Sequence, residues 1–574
     1  MSTNFGSENE LIENHKHSIQ TPDNKTSNIK DENSVNGLKT YERLALAARN
    51  RRDAQLPKKY RIPTEKLPAP EIMDVTGYPR TSGLLNDLEI QITESDAPSI
   101  VKTVSDGTWS AVQVISAFSK RAAIAHQLTN CLSEIFFEQG LDRAKFLDEY
   151  YERTGKTMGP FHGLPISLKD HFRVEGKTVG VGFTSWAANI SDSDAALVKM
   201  LNDLGAITYC KTTVPVAMMM PDTESHIFGR TLNPNNLKHS AGGSSGGEGA
   251  LLAMKGSPVG IGSDIGGSLR LPAFFNGLYT LKPSAMRFPL DGTQSGLPGQ
   301  ESVVSVIGPI STSLDSVEFF TRTLLNSHVE KYDSRSIPLP YREPELPDKL
   351  VFGVIRTDNH VHPTPAVVRA IEKVVKSVKE AGHEVVEWTP LEHNAMDKML
   401  DKFFTADGGK FVANAKQGEP FFRYMEAYGK AKEMGVSELW SLHEARQKIV
   451  QRYHQMWNES GKLTSNGRLV DGLIVPAGPV GSCPIHNYSY VGYTSVFNCL
   501  NYPSVVVPVL RSDKSLDQLT DRNGISKKHQ RVLNDYNDET YHDGLVGVQV
   551  ITRSYEDEKA LELAKIVVSA LNAA

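Results

Sequence analysis

Apolar positions along this chain switch between a helical period and short strand-like runs. Val112, Ile115, Phe118, Ala122 and Ile124 recur at helical spacing and predict a helix over 108–129. A second helix is expected over 139–153, ended near Gly155. Ser193 can cap a third, with Leu197, Met200, Leu201 and Leu204 facing inward and Gly205 past its end. A short strand, 207–210, follows. Further on, 350–355 reads as a strand. Thr364 then stands as an N-cap, Pro365 at the first helical position and Gly382 beyond the end. Val367, Val368, Ile371, Val374, Val375 and Val378 form the apolar stripe between them, and 383–388 is the next strand. That strand–helix–strand unit predicts an α/β fold. Segments 472–476, 504–509 and 547–551 are further strands, and 556–571 closes the chain as a helix. The polar stretch 511–543 reads as a surface excursion. No repeat of fixed period is seen.

The ends differ from the middle. Residues 1–38 are rich in Asn, Ser, Glu, Lys and Asp, too polar to offset ordering entropy by burial, and predict a flexible tail. Leu38, Tyr41, Leu44 and Ala45 allow a helical arm over 37–52, and the Pro-rich run 57–70 reads as an extended connector. The expected division is a tail and arm over 1–53, with one catalytic domain over 54–574. With 39% hydrophobic and 22% charged residues, the composition is that of a globular protein. A net charge of −5 gives no basic surface for nucleic acid or anionic membrane. Cys131, Cys210, Cys483 and Cys499 form no CxxC pair. They fit buried thiols in a reducing compartment, not a disulfide framework or a zinc site. No apolar run is long enough to span a bilayer, and no signal peptide or C-terminal retention signal is seen, so a cytoplasmic location is expected.

Chemistry concentrates in three blocks: 163–170 (Gly-Leu-Pro-Ile-Ser-Leu-Lys-Asp), 241–247 (Ala-Gly-Gly-Ser-Ser-Gly-Gly) and 263–270 (Ser-Asp-Ile-Gly-Gly-Ser-Leu-Arg). Glycine lets backbone N–H groups approach and cradle an anion. A phosphate loop is excluded because Gly260-Ile261-Gly262 misses the GxGxxG spacing and no Gly-Lys-Ser/Thr follows. An oxyanion fits better. The apolar strand 259–261 leads into a turn of small residues whose N–H groups can converge beside the Ser268 hydroxyl. Gly242-Gly243-Ser244-Ser245-Gly246 also matches the GxSxG nucleophile elbow, but the preceding 233–240 is loop-like where that elbow needs a buried strand. Serine needs a base: Lys169 follows Leu164, Ile166 and Leu168, where desolvation would favour its neutral form, but a lysine after an apolar segment is usually a strand-end charge and the pattern alone does not select it. Ser245, Asp264, Arg270 and Asp170 read as holding the loops. His171 is a weaker candidate base.

Taken together and in order, the three blocks resemble the amidase signature family, whose GxPxxxKD, GGSSGG and DIGGS elements they match over a chain similar from about Leu84 to the last helix. The resemblance implies a large mixed, twisted β-sheet covered by helices on both faces. It implies Ser268 as the acylated nucleophile, Ser244 as the bridging serine and Lys169 as the general base. The N–H groups of Ile265, Gly266, Gly267 and Ser268 would form the oxyanion hole, with a cis peptide before Ser244. Met218 matches a position lining the substrate site, and 488–502 is expected to contribute to the acyl pocket. Residues 121–130, 162–170 and 541–550 are most similar to fungal acetamidase-type amidases, which implies aliphatic or aryl carboxamides as substrates. No metal or organic cofactor is implied. The expected partner is a small-molecule amide, with a homodimer the one assembly considered. A fatty-acid amide hydrolase, an amidotransferase subunit and a non-catalytic binding protein are the rival readings.

Overall fold

Successive valines of one central strand face two different layers. Val505 and Val507 join the core formed with helices Pro365–Glu380 and Asp557–Ala573, whereas Val506 joins the core around helices Arg270–Asn276 and Gly492–Cys499. The two-residue period of a strand buried on both sides explains why these segments are apolar throughout. The computed structural model describes residues 37–573. The polar tail expected over 1–38 thus lies, up to residue 36, outside the described residues.

Eleven strands build one mixed sheet. In chain order they are β1 Leu132–Ile135, β2 Pro165–Lys169, β3 Ile207–Thr212, β4 Val259–Asp264, β5 Tyr279–Lys282, β6 Val306–Ser311, β7 Val351–Val354, β8 Glu384–Glu387, β9 Gly472–Pro476, β10 Ser504–Arg511 and β11 Leu545–Ile551. Across the sheet the order is β1-β3-β2-β4-β6-β5-β10-β11-β9-β7-β8. β3, β2 and β4 run parallel, as do β9, β7 and β8, and every other pairing is antiparallel. The expected α/β fold, a large mixed sheet with helices on both faces, is the one observed.

Helix Pro365–Glu380 begins as its signals require, with Thr364 at the N-cap and Pro365 in the first turn, and joins β7 to parallel β8. Helix Ala111–Thr129 starts at a capping box between Ser110 and Gln113 and ends at Asn130, a left-handed C-cap. Ser193 does not cap the next helix: Ala195 is the N-cap of Ala196–Asp203, and the Ser193 hydroxyl bonds Asp192 instead. The segment before Ser244 is a small hairpin, Leu232–Asn233 with Asn236–Ser240, outside the main sheet. The 511–543 excursion carries helix Lys527–Asp535, capped by Ser526, with His529, Val532 and Leu533 buried. Its polar composition reflects the opposite, solvated face.

The arm is a helix, Thr40–Gln55, packed on β1 and on the turn Thr184–Trp186. Its arginines bind it there. Arg52 donates to Asn130 Oδ1 (2.9 Å) and the Leu132 carbonyl (3.2 Å), Arg49 to the Ile227 carbonyl (2.9 Å) and Arg51 to the Ala187 carbonyl (2.8 Å). Arg52→Ala should cost about 1–3 kcal/mol, the scale of hydrogen bonds from a charged donor. It should also speed tryptic cleavage after Arg49 and Arg51. An unchanged denaturation midpoint and cleavage rate would show that the arginine does not fasten the arm.

Candidate active site

The candidate residues converge where β2 and β4 end side by side. Ser167 lies opposite Gly260 and Leu168 opposite Ile261, so Lys169 ends β2 within one residue of Ser263, which its side chain reaches. β2 is buried along its whole length, and Lys169 is fully buried with it. Its Nζ donates to Ser244 Oγ (2.7 Å) and Ser263 Oγ (2.9 Å). Among the described residues it forms no salt bridge. Burial disfavours the ammonium form and outweighs the pull of Asp264, Glu248 and Asp170, lowering Lys169 to about 7. Ser263, quoted within its block but given no role in the sequence, is thus a direct partner of the lysine.

Ser244 and Ser245 lead into helix Gly246–Ala253, and the Gly243–Ser244 peptide is cis. Ser245 holds backbone: its N–H donates to the Ser268 carbonyl (3.2 Å) and its hydroxyl to the Ser263 carbonyl (3.4 Å). Ser268 lies in the turn between β4 and helix Arg270–Asn276 and is partly exposed, unlike buried Ser244. No hydrogen bond joins the Ser268 and Ser244 hydroxyls.

The turn stands on a buried ion pair. Asp264 and Arg270 are both fully buried and meet through two 3.0 Å bonds, Nε to Oδ2 and Nη2 to Oδ1. Asn498 Nδ2 donates to Asp264 Oδ1 (2.9 Å), and Arg270 reaches the Thr494 carbonyl (2.8 Å), Asn498 Oδ1 (2.6 Å) and Gln549 Oε1 (3.2 Å). Burial pushes the Asp264 carboxyl upward, but the Arg270 charge and these bonds hold it well below the usual range. Asp264 also accepts from Gly267 N–H (2.8 Å) and Leu269 N–H (3.1 Å). Of the four N–H groups expected to face an oxyanion, Gly267 is therefore taken by the carboxylate. Those of Ile265, Gly266 and Ser268 have no acceptor among the described residues. Gly267 has φ +139°, and a Cβ there would sit 2.4 Å from Thr494 Oγ1, so no other residue fits.

Helix Gly492–Cys499 brings Thr494 and Ser495 against the turn from the segment expected to contribute to the acyl pocket. Thr494 Oγ1 donates to the Gly266 carbonyl (2.7 Å). On the open side of Gly266 the nearest groups are Ser495 Cβ (3.8 Å) and Phe404 Cε2 (4.0 Å) from a Cβ built there. The sequence gives no sign of Phe404, which lies at the end of helix His393–Phe404, far along the chain. Met218 is half-buried in a separate apolar cluster with Phe183, Trp186, Phe411 and Tyr428; two residues on, the backbone of Met220 packs directly on Gly243.

Asp170 faces away from the serines. It accepts from Ser133 Oγ (2.9 Å) and from the N–H groups of Gly180 (3.1 Å) and Val181 (2.7 Å). His171 is buried, held well below its ordinary range by burial and by neighbouring Lys169 and Lys211, and neither ring nitrogen bonds a serine. Among the described residues no cluster of three or more His, Cys, Asp or Glu is arranged to hold a metal ion. No described helix is long and apolar enough to cross a membrane.

Residues 113–561 match the family model described as Amidase. An acetamidase of Emericella nidulans is 38% identical over 541 residues, covering 92% of this chain and 98% of that protein. An acetamidase of Aspergillus oryzae is 38% identical over 542 residues, with the same coverage. Among solved structures, a fatty acid amide hydrolase superposes with a TM-score of 0.88 at 31% identity, covering 93% of this chain and 95% of that one. A bacterial aryl acylamidase, at 18% identity and a TM-score of 0.65, shares the fold. A family model spanning most of the chain, and relatives matched over nearly their whole length, show that the chain belongs to the amidase signature family.

Proposed function

We propose that this enzyme hydrolyses carboxylic amides through an acyl-enzyme on Ser268, with Ser244 and Lys169 as its proton relay. One observation carries the reading: a fully buried lysine, paired with no carboxylate among the described residues, donates to Ser244 at 2.7 Å beside a turn whose N–H groups have no acceptor among them. Neutral Lys169 takes a proton from Ser244 as Ser244 takes one from Ser268. The Ser268 oxygen attacks the amide carbonyl, and the N–H groups of Ile265, Gly266 and Ser268 hold the oxyanion. Gly267 supports the turn through Asp264. The relay run backwards protonates the departing nitrogen, ammonia or amine leaves, and water then cleaves the ester with the same relay as base. The Ser268–Ser244 link is the one a bound amide completes, since such bonds tighten in the Michaelis complex.

For the substrate, the acetamidase likeness favours short aliphatic or aryl amides, whereas the 0.88 superposition on a fatty acid amide hydrolase favours longer acyl chains. Met218, Ser495 and Phe404 are read as walls of the acyl site. The four cysteines are unpaired and buried, which supports a reducing, cytoplasmic setting.

A fluorophosphonate probe should label Ser268 and leave Ser268→Ala unlabelled; labelling elsewhere sinks the nucleophile assignment. Lys169→Ala and Ser244→Ala should each lose at least about 10²-fold in turnover, while His171→Ala keeps most of it. Full activity in either of the first two refutes the relay. With Lys169 at about 7, kcat/KM should fall as pH drops below that value, because the protonated lysine cannot accept a proton. A profile flat from pH 8 to 5 contradicts a lysine base. Ammonia release from acetamide, a long-chain amide and an aryl amide decides between the two substrate classes.

A further inference from the structure

One buried carboxyl beside the site has no part in the relay. Glu248, in the first turn of helix Gly246–Ala253, is fully buried. Its Oε2 lies 2.6 Å from Ser167 Oγ and its Oε1 2.9 Å from Thr212 Oγ1. Neither partner is arbitrary. Ser167 stands two residues before Lys169 on the same face of β2, and Thr212 is the register partner of Lys169 on β3. The third side is cleared for the carboxyl, because a Cβ on Gly260 would fall 1.9 Å from Glu248 Oε2 and 2.7 Å from Ser167 Oγ.

We propose that Glu248 is a positioning residue acting through Lys169: its carboxyl ties the lysine's strand to β3, and its charge governs how easily the lysine gives up its proton. The inference rests on the relay reading above. Both protonation states fit the same contacts. As a carboxylate, Glu248 accepts from both hydroxyls. As an acid, its O–H donates to Ser167 Oγ while Thr212 still donates to Oε1.

The surrounding charges leave these two groups to titrate together. Towards Lys169, Asp264 is tied to Arg270, and Asp170 is held by Ser133 and two N–H groups, with Lys211 Nζ at 4.0 Å. His171 is kept neutral by burial. Towards Glu248 stand Tyr209, Cys210 and Cys131, all driven away from ionisation by burial. Lys282 is lowered to about 7 as well, by burial first and then by Arg270, but the groups that act on it are Arg270, Asp264 and Asp557, not Lys169 or Glu248. Burial raises Glu248 to about 7 against the pull of Ser167, Thr212 and Lys169, the same region to which Lys169 is lowered. An ionised Glu248 keeps the proton on Lys169, and a neutral one releases it.

The test is the pH profile of kcat/KM on one aliphatic amide for wild type, Glu248→Gln, Ser167→Ala and Lys169→Ala. Glu248→Gln keeps both contacts and removes the charge, so its acid limb should move to lower pH by roughly one unit, the scale of one nearby opposite charge. Ser167→Ala removes a donor that stabilises the carboxylate and should move the limb the same way by less. It also serves alone should the glutamine variant fail to fold. An acid limb unmoved in a folded variant whose Ser268 still takes the serine probe overturns the role of Glu248, whatever happens to kcat. Amide hydrolysis left intact by Lys169→Ala overturns the relay and, with it, this inference. Lost activity in Lys169→Ala together with an unmoved limb overturns the Glu248 role alone.

Discussion

The active turn depends on the buried pair between Asp264 and Arg270. An ion pair taken out of water is no source of stability unless its remaining hydrogen-bonding capacity is filled. Here it is filled from four directions: by Gly267 and Leu269 N–H, by Asn498, by the Thr494 carbonyl and by Gln549. Gln549 in turn donates to the Pro476 and Tyr493 carbonyls. The pair therefore fastens the end of β4 to β9, β11 and helix Gly492–Cys499 together. Breaking one partner would leave a charge stranded in the core, a loss on the scale of several kcal/mol. That cost fixes the backbone from Ile265 to Ser268 before any substrate arrives.

Preorganisation explains a division of labour within four residues. Gly267 turns its N–H inward to the carboxylate, and its neighbours keep theirs unpaired. Donors that are already aligned need no reorganisation when charge develops on a carbonyl oxygen. The lysine is prepared in the opposite sense. Two hydroxyls, from Ser244 and Ser263, receive its hydrogens, and among the described residues it forms no salt bridge. In the proposed mechanism, one side of the site holds negative charge and the other sheds a positive one.

The sequence made the scaffold legible wherever local chemistry decides the outcome. Thr364-Pro365 marks a helix start because a cap and a fixed φ are local properties, and β9, 472–476, stands out as an apolar run between Asp471 and the turn residues Gly478-Pro479. Ser193 misleads for the same reason: its hydroxyl found a nearer partner in Asp192, and Ala195 became the N-cap. Lys169 is not legible locally, since a lysine ending an apolar strand is usually a solvated charge; only the match of three blocks singles it out. Ser263 looks like any strand residue until β2 and β4 are set side by side. Phe404 reaches Gly266 from a distant segment with nothing near it to encode that meeting, whereas Ser495 lies in 488–502, which only the family resemblance directs to the acyl pocket. Glu248 carries no signal in the sequence, and its burial follows from the strands that its helix packs against.

The bare α-carbon of Gly260 has a consequence for how this protein can vary. A side chain at 260 would occupy the volume that the Glu248 carboxyl fills, so the two positions form a single unit. A drift to alanine at 260 is tolerable only after residue 248 has shortened, and a return to glutamate only after glycine is restored. Neither position can therefore be altered without regard to the other, and the order of the two changes is fixed by space alone.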